Sequence, residues 1–248
     1  MLIKIALLDL ETLALLPDEP GRVTVDEAGI VLFSGDIDQL TLEQLDAEVK
    51  ALKEQEHVKG TLIDFSSLKS NELACFNYKF QVISQLALGR SITQDTVDFH
   101  YKRGYLPGAE KREELNTTVL DKLKELCVGY TVFVRGQDFD FPILNSLAKD
   151  YKKPEPVGFR DRRDIRTAFD SVFMDCKFDI ATVERAAASP LFRDNAHALS
   201  IYSELNDIRR ERGHRAVNDA LIDMLSYLVC LKTQRLLLGF DTPSFKEL

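Results

Sequence analysis

Apolar and polar positions fall in blocks along the chain, and the blocks differ in period. Leu2 to Leu8 is a nearly continuous apolar run, the mark of a strand buried on both faces, and it stops at Asp9. Val23 to Phe33 reads as a second strand, weakened in its middle by Gly29. Pro17, Asp18, Pro20 and Gly21 between them are turn formers, so the two strands are expected to make a hairpin. Thr41-Leu42-Glu43-Gln44 has the form of a capping box. Leu42, Leu45, Val49 and Leu52 then follow at helical spacing, which predicts a helix over residues 41–56. Phe76 to Ile83 alternates as a half-exposed strand would. A helix is expected from Thr93 to near Arg103. Another, capped by Asn116, carries Val119, Leu120, Leu123 and Leu126 on one face.

In the second half, strands alternate with helices. Tyr130 to Val134 is a buried-strand candidate that ends at Arg135-Gly136. A helix bearing Phe139, Ile143, Leu144 and Leu147 follows, then a Pro-rich connection from Lys152 to Asp161. A short strand over Arg163 to Ile165, a helix from Thr167 and a helix over 196–209 come next. A long helix from Ala216 to Leu238 stops at Gly239, a natural C-cap. Strands first, then alternating strands and helices, then a terminal helix predict an α/β fold around one mixed sheet. In such sheets ligands collect where strands end and helices begin. No Pro/Gly/Ser-rich linker divides the 248 residues, so one domain spanning 1–248 is expected.

Composition narrows the classes. Hydrophobic residues make up 45%, enough for a core without disulfide or metal staples. Cys75, Cys127, Cys176 and Cys230 are far apart with no C-x-x-C pair, which argues against zinc and thiol redox chemistry and for buried thiols in a reducing compartment. Asp9 and Glu11 interrupt the apolar start too early for a signal peptide, and no run approaches the ~18 apolar residues of a membrane span. A soluble, cytoplasmic protein with no membrane partner is expected. The formal charge of −8 speaks against nucleic-acid binding through a basic surface. That objection weakens if two bound divalent ions add about four positive charges where a phosphate must sit. Local basic clusters also exist: Arg160, Arg162, Arg163 and Arg166, then Arg209, Arg210, Arg212 and Arg215, the second flanking His214.

The candidate chemistry lies in three distant runs. Asp9 and Glu11 are two apart at a strand end, so both project from one face, and side by side they repel unless a cation sits between them. Asp140 stands near a helix start after Gly136. Asp138 shares that position, and only the surrounding Phe139, Phe141 and Ile143-Leu144 favour Asp140. His214 and Asp219 are five apart at the mouth of the long helix and can overlook one cleft, while Asp219 and Asp223 share a helix face. Four carboxylates and one imidazole can hold two divalent cations and activate a water, the inventory of phosphodiester hydrolysis.

Jointly the three runs resemble the DEDDh class of 3′–5′ exonucleases, within the ribonuclease-H-like superfamily. Arg135-Gly136-Gln137-Asp138-Phe139-Asp140-Phe141-Pro142-Ile143-Leu144 and Arg162-Arg163-Asp164-Ile165-Arg166-Thr167 look like the exonuclease A (DexA-type) branch of tailed phages, and Ser84-Gln85 through Thr96-Val97-Asp98 is also similar. The resemblance implies a ribonuclease-H-like mixed β-sheet flanked by helices. It implies Asp9, Glu11, Asp140 and Asp219 as ligands of two Mg2+ ions, with Mn2+ as a substitute, and His214 as general base. The implied activity is release of 5′-mononucleotides from the 3′ end of DNA, single-stranded by expectation, in a phage or bacterial host cell. The alternatives are a 3′–5′ exoribonuclease of the same fold and a catalytically silent nucleic-acid-binding module. Thr12, Phe99, His100, Phe139 and Arg166 are the candidate substrate contacts. Two departures stand out. The segment from about 36 to 60 is longer than the family needs, which suggests a helical insertion. Phe99 and His100 stand where the family tends to carry tryptophans, in a chain with none.

Overall fold

A computed structural model describes residues 2–14, 22–54, 73–102, 114–173, 187, 189–193, 195–212 and 215–239. Its centre is a five-stranded mixed sheet built from β1 (Leu2–Thr12), β2 (Val25–Asp36), β3 (Leu73–Lys79), β4 (Thr131–Val134) and β5 (Arg162–Asp164), in the order β3-β2-β1-β4-β5. The first three strands pair antiparallel with one another, and β4 and β5 continue parallel to β1. The carboxyl ends of β1, β4 and β5 therefore share one edge of the sheet.

Side chains of β1 alternate between two cores. Ile5 and Leu7 enter one, while Ala6, Leu8 and Leu10 enter the other. Burial on both faces is why this strand reads as an unbroken apolar run. The nine helices among the described residues are α1 (Leu42–Glu54), α2 (Val82–Leu86), α3 (Gln94–Lys102), α4 (Asn116–Cys127), α5 (Asp140–Asp150), α6 (Ile165–Phe173), α7 (Pro190–Arg193), α8 (Ala196–Arg212) and α9 (Ala216–Leu237). The Ile5 face is covered by α1, α6, α7, α8 and α9, and the Leu8 face by α4 and α5. The helix α9 is buried on nearly every side, with Leu221, Ile222, Met224, Leu225, Leu228 and Val229 all within the first core. Within the segment expected to be an insertion, α1 sends Leu42, Leu45, Val49 and Leu52 into that same core.

The capping box forms as expected: Gln44 N donates to Thr41 Oγ1 at 3.1 Å and Thr41 N to Gln44 Oε1 at 2.9 Å. Three local expectations are corrected. The alternation at Phe76–Ile83 extends past its strand, because Phe80 turns into the core and Val82–Leu86 is helical. In that short helix, buried Gln85 caps the start of β2, accepting from Val25 N at 2.9 Å and donating to Val25 O at 2.7 Å. Asn116 does not cap α4, since Leu115 occupies the cap position. Its side chain instead accepts from Gln81 N at 2.6 Å and donates to Tyr151 Oη at 2.8 Å, so a tertiary bond replaces the local one. The short fifth strand begins at Arg162, and Ile165 already belongs to α6.

Cys75, Cys127 and Cys230 are free and buried, and burial pushes the Cys75 and Cys127 thiols up to about 12. The turn over 15–21 and Cys176 lie outside the described residues. No helix among the described residues is long and apolar enough to cross a membrane.

Candidate active site

The strand β1 delivers the first two acids. Asp9 and Glu11 continue the alternation of Ile5 and Leu7, so both stand on the face that α9 covers. The helix α9 begins over β2, and Asp219 lies in its first turn. One carboxylate oxygen each from Asp9, Glu11 and Asp219 lie within 4.8 Å of one another. Asp140 joins them from the parallel side of the sheet. It is the first residue of α5, it is 3% exposed, and the Leu10 backbone amide hydrogen-bonds to its carboxylate. Its rival Asp138 is exposed to solvent.

The electrostatics record how tightly these groups are packed. Burial, followed by the charges of Asp219, Asp140, Glu11 and Asp223, pushes the Asp9 carboxyl well above its usual range. Glu11 is raised in the same way, by burial and then by Asp219 and Glu27, with Arg215 opposing. Burial lifts Asp140 to about 8 against the opposing pull of the Leu10 amide and Arg166. Acids so placed are stable together only when protonated or when cations share them. The converging donors are all hard carboxylate oxygens, a set that fits Mg2+, Mn2+ or Ca2+ rather than a thiophilic metal.

Three arrangements around the acids were not anticipated from sequence. Asp223, one turn beyond Asp219 on the same helix face, is 3% exposed and ion-paired. Arg135, just past β4, grips it with Nε to Oδ2 at 3.0 Å and Nη2 to Oδ1, while Arg209 of α8 reaches Oδ1 as well. Burial opposes the Asp223 charge, but these two guanidinium groups hold its carboxyl below the usual range. Glu27 is fully buried and pairs with Glu11 in the β1–β2 register and with Lys79 in the β2–β3 register. Its Oε2 forms an ion pair with Lys79 and lies 3.4 Å from Arg215 Nε, at the N-cap of α9. The available signal was Asp26-Glu27 inside an otherwise apolar strand.

His100 is the third. It is 2% exposed, a buried ring rather than an open surface. Its Nε2 donates to the Thr12 carbonyl at 3.1 Å and lies 4.0 Å from Glu11 Oε2. Thr12 itself is buried, with Oγ1 donating to Ala14 O at 3.0 Å. Phe99 is 40% exposed and packs edge-on against the His100 ring. Phe139 is partly buried and packs against the second core. Arg166 is exposed, stands over Gly136 and bears electrostatically on Asp140. Asp164 organises this corner, accepting from Arg166 N at 2.8 Å and from Gln137 N at 3.3 Å. His214 lies outside the described residues, directly before Arg215 in the chain.

The mixed sheet thus gathers Asp9, Glu11, Asp140 and Asp219 at the end of its first strand, and comparison with known proteins bears on the fold. No protein-family model and no curated protein matches the chain. Among solved structures, the chain is similar to the nuclease domain of 3′hExo, a DEDDh family member, bound to rAMP. The two share 11% identity with a TM-score of 0.50, over 97% of this chain and 94% of that one. At that identity the likeness is one of fold: the chain has the ribonuclease-H-like α/β fold of a DEDDh nuclease domain.

Proposed function

We propose that this chain is a divalent-metal-dependent 3′–5′ exonuclease that releases 5′-mononucleotides from single-stranded DNA. The carrying observation is the cluster of Asp9, Glu11 and Asp219 oxygens within 4.8 Å, with Asp140 buried beside them. A fold like that of a DEDDh nuclease domain supports the reading. Both cores share one sheet, which supports a single exonuclease domain.

Divalent cations held by Asp9, Glu11, Asp140 and Asp219 would make water a nucleophile near neutral pH and offset charge on the leaving 3′ oxygen. The protein's own groups do the rest. His214, five residues before Asp219, takes the proton of the attacking water, work suited to an imidazole. Arg166, beside Asp140, offers its guanidinium to a non-bridging phosphate oxygen. His100 fixes the Thr12 backbone against which the terminal nucleotide is to lie, and exposed Phe99 offers a ring face to a base.

The ribonucleotide bound to the 3′hExo domain keeps an exoribonuclease of the same mechanism as the second reading. Matched 5′-labelled DNA and RNA oligonucleotides, each with and without magnesium or manganese, test both. A ladder shortening from the 3′ end on DNA is expected, with RNA cut more slowly. Faster loss of RNA would transfer the assignment to the second reading. No shortening of either, with both metals tried, would leave only a binding module.

A further inference from the structure

The pair of arginines on Asp223 exceeds what that acid needs. Arg135 alone grips both carboxylate oxygens, a bidentate pairing that neutralises the charge. Arg209 adds a second guanidinium to Oδ1. Two positive charges on one buried negative charge leave an excess of one beside the four-acid pocket. The acid lies inside, with its side chain 5% exposed, while the Arg135 and Arg209 side chains are 27% and 22% exposed. Spare donors remain: Arg135 Nη1 and Arg209 Nη1 make no hydrogen bond among the described residues.

Placement gives the excess charge a direction. Arg135 directly follows β4, at the same sheet edge as Asp140, and it feels the charges of Asp219 and Asp9 as well as Asp223. With two divalent cations in place, the four acids are balanced, and Arg135 and Arg209 together with Asp223 carry one net positive charge beside them. An anion is then the ligand of matching charge, and a phosphodiester presents oxygens in the geometry that a guanidinium fork accepts.

We propose that Arg135 and Arg209, positioned by Asp223, form a phosphate-binding site for the nucleic-acid backbone next to the metal acids. This rests on the exonuclease reading for its substrate class, and binding rather than turnover tests it. Arg135→Gln and Arg209→Gln each leave Asp223 paired with the other guanidinium, so neither strands a buried carboxylate.

The probe is a fluorescein-labelled, phosphorothioate-protected oligothymidylate in manganese, with its affinity followed by anisotropy across a salt series. Each Gln variant is expected to weaken binding about tenfold and to flatten the slope of log K against log salt by about one charge. The rise in melting temperature on adding manganese should stay the same or grow, because a positive neighbour of the metals has gone. Arg135→Lys keeps the charge and loses the fork, so it should retain the salt slope with reduced affinity. Wild-type affinity and slope in both Gln variants would overturn the proposal and leave a purely structural ion triad. Failure to cleave by wild-type protein, with the binding losses intact, would instead sink the exonuclease reading and spare the arginine site.

Discussion

Gly29 and Val217 touch through their backbones: a β-carbon on Gly29 would stand 2.1 Å from the Val217 amide nitrogen and 2.2 Å from the Ala216 carbonyl carbon. Gly29 is also the residue paired with Asp9 in the β1–β2 register. The bare glycine is thus a seat that lets the first turn of α9 descend onto the sheet directly beside Asp9, bringing Asp219 with it. Gly29→Ala should lower stability by about 1–3 kcal/mol or more, since backbone rather than a flexible side chain stands in the way. It should also weaken manganese binding, because Asp219 moves off the cluster. Thermal unfolding with and without manganese checks both, and an unchanged manganese response would separate the seat from the site.

The buried acids set a pH dependence that cations reverse. The folded-state pKa values of Asp9, Glu11 and Asp140 are raised, the last to about 8 from the ordinary 3.8. Their contribution to stability is therefore complete below the ordinary carboxylate pKa and is lost as pH rises through the raised values. Asp223 is shifted downward, so its contribution changes only in acid, below this window. Metal-free protein should lose melting temperature between about pH 5 and about pH 9, and Asp140→Asn should flatten part of that loss. Manganese should restore stability most at the alkaline end, and much less in Asp9→Ala, which should also abolish cleavage.

His214→Ala should slow turnover by roughly 10²–10⁴ while leaving the manganese-induced gain in melting temperature nearly intact. Single-turnover cleavage of a labelled oligonucleotide gives the rate. Undiminished cleavage would remove His214 from the role of base.

Glu27 is buried between Lys79 and Arg215, so Glu27→Gln removes a buried negative charge that both cations face. A cost of about 3–5 kcal/mol is expected, read from denaturant unfolding. Adding Lys79→Met should recover part of it, because one of the two cations facing that site is then gone. Since Arg215 follows His214 and stands at the N-cap position of α9, cleavage should fall in the single variant even below its unfolding transition.

Much of this molecule was legible in one dimension because it depends on local or periodic rules. The apolar run ending at Asp9 predicted a doubly buried strand, and Thr41 with Gln44 predicted a cap whose two bonds both form. The two-residue spacing of Asp9 and Glu11 placed them on one face, and of the two acids at the start of α5, Asp140 is buried and Asp138 exposed. What stayed hidden depended on neighbours distant in the chain. Gly29 read as a weak point in a strand and is the seat of a helix 187 residues later. Asp223 read as half of an acidic stripe, and its meaning comes from Arg135 and Arg209, brought in by other elements. His100 read as a candidate substrate contact, and its buried ring hydrogen-bonds to the Thr12 carbonyl, 88 residues earlier. Periodicity reports which face a side chain takes. Only the packed chain decides which charge or backbone meets it there, because desolvation and Coulomb interactions act through space rather than along the sequence.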